Sequence, residues 1–135
     1  MSGFLPNEGE TLVANVVFKN TDDDRGTDTY LGLFTNASVS ETTAFTSLTQ
    51  PTGGGYAEIL LTDASWTVTN DVASYAKQTF NVTGGDYNLP IYGYYVRTNG
   101  TIKRLLVLEV DPAPGAPYTM LENDAYDVTI NVTVA

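Results

Sequence analysis

The C-terminal stretch Tyr126-Asp127-Val128-Thr129-Ile130-Asn131-Val132-Thr133-Val134 alternates apolar and polar residues without a break. Tyr126, Val128, Ile130, Val132 and Val134 form one wholly apolar face, and Asp127, Thr129, Asn131 and Thr133 form a wholly polar one. A period of two marks a β-strand that covers a core on one side and meets water on the other. The same bias runs through the rest of the chain. Its 135 residues include 20 threonines and 9 tyrosines, types that fit pleated surfaces.

Upstream, Asn99-Gly100 parts two strand-like runs, 91–98 and 101–110. A two-residue type I′ turn favours this pair, because both central residues take positive φ. Counting back from the turn sets Tyr95 opposite Arg104 and Arg97 opposite Ile102. Tyr92, Tyr94, Leu105 and Val107 lie on one face of the hairpin, Ile91, Tyr95, Leu106 and Leu108 on the other. With both faces apolar, it is expected at the centre of its sheet or covered on its second side by a partner.

Further strands are expected at 29–35, 56–62, 66–69 and 74–83, punctuated by Gly53-Gly54-Gly55 and Gly84-Gly85-Asp86. Asp111-Pro112-Ala113-Pro114-Gly115-Ala116-Pro117 reads as a stiff loop whose prolines cannot donate to a ladder. Residues 10–20 fit two readings. Leu12, Val13, Val16 and Val17 make a helical stripe behind acidic Glu8 and Glu10, whereas Leu12, Ala14, Val16 and Phe18 alternate as in a strand. The expected fold is mainly β, an antiparallel β-sandwich of jelly-roll or immunoglobulin-like type, with one short N-terminal helix possible. An N-terminal arm, 1–7, is expected to precede a single domain, 8–135.

Sixteen acidic residues against six basic ones give a formal net charge of −10. That balance disfavours nucleic-acid binding, which needs clustered Lys and Arg, and docking on an anionic membrane. With no cysteine and no histidine, there is no thiolate nucleophile and neither of the commonest zinc ligands, and no cofactor is expected. The first residues show neither the basic start nor the apolar run of a secretory signal, so the expectation is a protein made in a cytoplasm, or carried out within a particle.

Asp22, Asp24 and Asp28 around Gly26 resemble part of a calcium loop, but the ligand set is incomplete, and a solvated loop is the simpler reading. Glu58 and Glu109 fall in expected strands, yet nothing sets them facing one another as a glycosidase requires. The Gly-rich run at 52–55 lacks the Gly-Lys-Ser/Thr ending of a phosphate loop. No catalytic residue is assigned, and the chain is not expected to be an enzyme. Trp66, Tyr92 and Tyr94 could stack on sugars, though aromatics in strands more often fill a core. Arg97, Lys103 and Arg104 are half of the basic residues and cluster at the Asn99-Gly100 turn. They read either as edge protection or as an electrostatic contact with an acidic partner, with Arg104 also placed for a cation–π contact with Tyr95. Met1, Phe4 and Leu5 precede Pro6, apolar groups that a free tail would expose to water.

Several stretches in series resemble a family of small tailed-phage virion structural proteins. They are Leu5-Pro6-Asn7-Glu8-Gly9-Glu10, Tyr30-Leu31-Gly32-Leu33-Phe34-Thr35-Asn36, Gly55-Tyr56-Ala57-Glu58-Ile59-Leu60-Leu61-Thr62 and Ser65-Trp66-Thr67-Val68. Ala76-Lys77-Gln78-Thr79-Phe80, Ile91-Tyr92-Gly93-Tyr94-Tyr95-Val96 and the C-terminal strand complete the series. The resemblance implies a helix over 10–20 and a capsid decoration (cement) protein on the outer shell of a virion assembled in a bacterial cytoplasm. It implies the major capsid protein and neighbouring copies of this chain as partners, and a homo-oligomer on the particle. Met1, Phe4, Leu5, Arg97, Lys103 and Arg104 are the candidate interface. A tail or fibre component binding host carbohydrate through Trp66, Tyr92 and Tyr94 is the alternative, and a calcium-dependent adhesion module at Asp22, Asp24 and Asp28 a third.

Overall fold

The computed structural model describes residues 4–19, 25–111 and 117–134. Among these, helix α1 (Asn7–Phe18) precedes strands β1 (Thr29–Phe34), β2 (Ile59–Leu61), β3 (Thr67–Thr69) and β4 (Val72–Asn81). Strands β5 (Gly93–Thr98), β6 (Leu105–Val110) and β7 (Ala125–Thr133) follow. All pairings are antiparallel. They build a four-stranded sheet of order β2-β1-β5-β6 and a three-stranded sheet of order β3-β4-β7. The chain is a mainly β protein, and its two sheets pack as a sandwich. Among the described residues, no helix is long and apolar enough to cross a membrane.

The alternation of β7 is realised residue by residue: Tyr126, Val128, Ile130 and Val132 are buried, and the residues between them are exposed. They meet Leu31, Leu33, Leu61, Tyr94, Val96 and Val107 from the other sheet in one core. Val134 departs from the expected face. The strand ends at Thr133, and Val134 is exposed, its N–H donating to the Asp71 carbonyl at 2.8 Å.

Strand β5 lies between β1 and β6 with every residue buried. Tyr94 and Val96 face the main core, while Tyr95 joins Phe34, Leu105 and Leu108 in a second cluster on the outer face. The cover over that face comes from the chain itself. Val39, Phe45 and Leu48, from the segment between β1 and β2, pack on it.

The expected two-residue turn is not formed. Residues 99–104 connect β5 to β6, and the register sets Tyr95 opposite Leu108, Val96 opposite Val107 and Arg97 opposite Leu105, with an irregularity after Val96. Mutual bonds of 2.9 Å between Thr98 and Arg104 close the loop. The turn-imposed register would have put Lys103 opposite Val96, on the core face. Burying an unpaired ammonium costs far more than a tight turn gains, so the longer loop wins.

Helix α1 begins directly after Pro6, whose extended backbone caps it, and so starts earlier than 10–20. Leu12 is buried and Val13 and Val16 are half-buried, whereas Ala14 and Phe18 are exposed, so the helical stripe prevails over strand alternation, although its fourth member, Val17, is exposed. Gly9 lies so close to β6 that a Cβ there would sit 2.9 Å from the Leu106 carbonyl oxygen. The Glu8 carboxylate accepts from the backbone N–H groups of Leu105 (2.7 Å) and Phe45 (3.1 Å), tying helix, strand and covering segment together.

Of the expected arm, 1–7, the residues from Phe4 onward also make contacts within the chain. Phe4 and Leu108 exchange backbone hydrogen bonds of 3.3 and 3.1 Å, Leu5 packs against the main core, and Pro6 is buried. Met1 lies outside the described residues.

Ile130 is wholly buried between the sheets. Ile130→Ala is expected to lower unfolding free energy by roughly 2–5 kcal/mol through lost transfer energy and the cavity left behind. Urea unfolding with an unchanged m-value checks this.

Candidate functional site

Three strands position the most elaborate polar constellation. Tyr95 and Arg97 project from β5 on the outer face and reach across β1 to Glu58, which immediately precedes β2. Register sets Tyr95 beside Gly32, and a Cβ at Gly32 would collide with the Tyr95 ring. The missing side chain is therefore what lets the tyrosine cross β1. Its hydroxyl donates to Glu58 Oε2 at 2.6 Å. Arg97 Nε donates to the same oxygen at 2.8 Å and Nη2 to Oε1 at 2.7 Å, a two-pronged pair. The guanidinium also lies over the rings of Tyr30 (4.5 Å) and Phe45 (5.4 Å).

The electrostatics follow from this geometry. Burial pushes the Glu58 carboxyl up, but hydrogen bonds from Arg97 and Tyr95, with the Arg97 and Lys103 charges, outweigh it and hold the group below the usual carboxylate range. The Glu58 hydrogen bond raises Arg97 against the opposing effect of burial. Burial first, then Tyr56 and Glu58, push the Tyr95 phenol up. The result is a two-pronged ion pair capped by a phenol that holds its proton more tightly than usual.

The candidate basic cluster is thereby divided. Arg97, with a side chain only 5% exposed, cannot serve as a surface charge, because its guanidinium is consumed by Glu58. Lys103 is exposed and Arg104 half-buried in the 99–104 loop. The cation–π contact expected of Arg104 with Tyr95 is made instead by Arg97 with Tyr30 and Phe45. Arg97 shares strand parity with Tyr95 on an apolar face, and that parity was the readable signal of its burial.

The aromatic trio is divided too. Trp66 is half-buried, edge-on to Tyr75 at a 5.2 Å centroid distance. Tyr92 packs against the outer cluster, whereas Tyr94 is wholly buried between the sheets and cannot meet a sugar. Asp22 and Asp24 lie outside the described residues. Asp28 is engaged in structure, accepting from the Asp63 N–H at 2.9 Å. Among the described residues, no group of three or more acidic, histidine or cysteine side chains could hold a metal ion.

Glu109 and Glu58 do not face each other. Glu109 is opposite Tyr94, on the core side of the four-stranded sheet, while Glu58 binds Tyr95 on its outer side. Sequence gave no sign that Glu109 and Asp111 would both be buried. The Tyr126 hydroxyl donates to Asp111 Oδ2 at 2.6 Å. Burial raises the Glu109 carboxyl more than the facing Tyr94 hydroxyl lowers it.

An open groove of about 460 Å³ lies between α1 and the end of β7. Phe4, Leu5, Val13, Phe18 and Val134 give it apolar walls, and Glu10 and Glu41 flank it. Phe18 is 85% exposed, Val17 65% and Val134 46%. Sequence had placed Phe4 and Leu5 at a contact surface, but the helix end and Val134 join them only in three dimensions. Comparison with protein-family models, curated proteins and solved structures finds no match.

Two expectations follow. Arg97→Met strands the Glu58 charge and should cost roughly 3–5 kcal/mol, whereas Glu58→Leu with Arg97→Met should recover most of the loss. Chemical denaturation of the single and double variants checks this. Glu109 is raised on folding, so its stabilising contribution is full in acid and is lost as pH rises through its folded value. Glu109→Gln should therefore raise the melting temperature at neutral pH and leave it little changed in acid, as thermal scans across pH would show.

Proposed function

We propose that the chain is a phage virion structural protein, a capsid decoration (cement) protein that binds the outer shell and stabilises it. The observation that carries this reading is the apolar surface around the α1 groove. On a chain of net charge −10, Phe18 and Val134 line this groove together and both stay exposed. Contiguous exposed apolar surface on a charged protein marks a contact with another macromolecule. Its partner is the major capsid protein, and burial of apolar area supplies the binding energy.

Charge supports the outer surface of the particle as the location, because contact with packaged DNA would be repulsive. The ion-paired state of Glu58 and the separation of Glu58 from Glu109 favour a binding role over catalysis. The carbohydrate-binding alternative loses support from the burial of Tyr94.

Purified protein is expected to bind emptied or expanded shells of its phage in co-sedimentation. Phe18→Asp should abolish most of that binding while leaving the melting temperature unchanged, because Phe18 makes little contact with its own domain. Absence of wild-type binding to shells would overturn the proposal.

A further inference from the structure

Strand β7 is the long open edge of this fold. It pairs with β4 on one side only, and among the described residues nothing hydrogen-bonds its other side. Strands β2 and β3, at the opposite edges, span three residues each, and Phe4 partly covers β6. Proteins protect long edges with lysine, proline, bulges or a covering element. β7 contains neither lysine nor proline, and the bulge in its sheet falls on β4, between Tyr75 and Gln78. Among the described residues, α1 and the Phe4–Leu5 segment border β7 at its end, beside Thr133 and Val134, and the rest of the strand carries none of these protections.

We infer that β7 pairs antiparallel with β7 of a second copy of this chain, joining two three-stranded sheets into one of six strands. The strand runs from 125 to 133, so the register that pairs all of it places the two-fold axis at Thr129, its midpoint. That register is chemically self-complementary. Thr129 faces its own copy, a favourable cross-strand pair, and Asp127 faces Asn131 of the copy, a carboxylate meeting an amide donor. On the core side, Val128 faces Ile130 and Tyr126 faces Val132. No two carboxylates are opposed.

Charge permits the approach. The only acid on the exposed face of β7 is Asp127, which Lys77 accompanies at 3.5 Å and to which the Thr79 hydroxyl donates at 2.6 Å. On a strongly acidic chain this edge is locally balanced. Pairing two backbones across it satisfies donors and acceptors that one copy leaves to water, as in strand-addition interfaces generally. The inference rests on the edge and its register, and it brings the copy's Ala125 beside Thr133 at the rim of the α1 groove.

Sedimentation equilibrium on the full chain is expected to show a mass that doubles as concentration rises. Asn131→Asp sets Asp against Asp at two symmetric positions and should weaken dimerisation roughly tenfold or more, the equivalent of about 1.4 kcal/mol. Adding Asp127→Asn to it restores an amide–carboxylate pair and should restore the dimer. Both positions are exposed, so folding is not at issue. The chain has no cysteine, so single-cysteine variants report the register directly. Thr129→Cys should oxidise to a covalent dimer, and Ala125→Cys, opposite Thr133, should not. A monomer at every concentration, an Asn131→Asp variant that dimerises normally, or equal cross-linking at 125 and 129 would each overturn the inference.

Discussion

A carboxylate and a guanidinium, held together on the outer face of the four-stranded sheet, are the constraint around which this fold is arranged. Glu58 and Arg97 come from the two sides of β1, and their two-pronged pair spans that strand. Charges taken out of water require near-complete pairing, since the desolvation cost of each ion is several kcal/mol. Tyr95 supplies the third donor to Glu58, and the rings of Tyr30 and Phe45 take the faces of the guanidinium. The network fixes the edge of β2, the position of β5 and the seat of Phe45 at once.

Its geometry explains features that look unrelated in the chain. Gly32 is small because the Tyr95 ring passes over it. The segment between β1 and β2 closes down because Phe45, Val39 and Leu48 complete the cluster beside the ion pair. Helix α1 is anchored to the same region, where Glu8 accepts from Leu105 and Phe45. A central strand buried on both faces is thus satisfied within one chain, by its own loop and helix. Among the described residues, the groove beside α1 and the outer edge of β7 are left open to other molecules.

The failure of the Asn99-Gly100 turn shows how local and long-range preferences compete. The dipeptide favours a tight hairpin by a modest local term, but the register it dictates would bury Lys103 against Val96. Side-chain parity is an all-or-none constraint, because a slip of one residue moves every side chain to the other face. The same logic places Arg97. Its parity with Tyr95 was legible, but its partner Glu58 lies 39 positions away, and no local pattern links them.

Whereas residues 10–20 fitted helix and strand alike, the sequence by itself determined the strands and the four core residues Tyr126, Val128, Ile130 and Val132. Those follow from periodicity, which records which face of an element meets water. Only the tertiary structure decided that Arg97 is internal, that Tyr92 rather than Ile91 lies with Tyr95 on the outer face, that Glu109 and Asp111 are buried, and that Phe18 and Val134 border one groove with Phe4. Each depends on which distant segments come together, and pairing across a sheet is set by the summed burial of all its residues rather than by any one stretch.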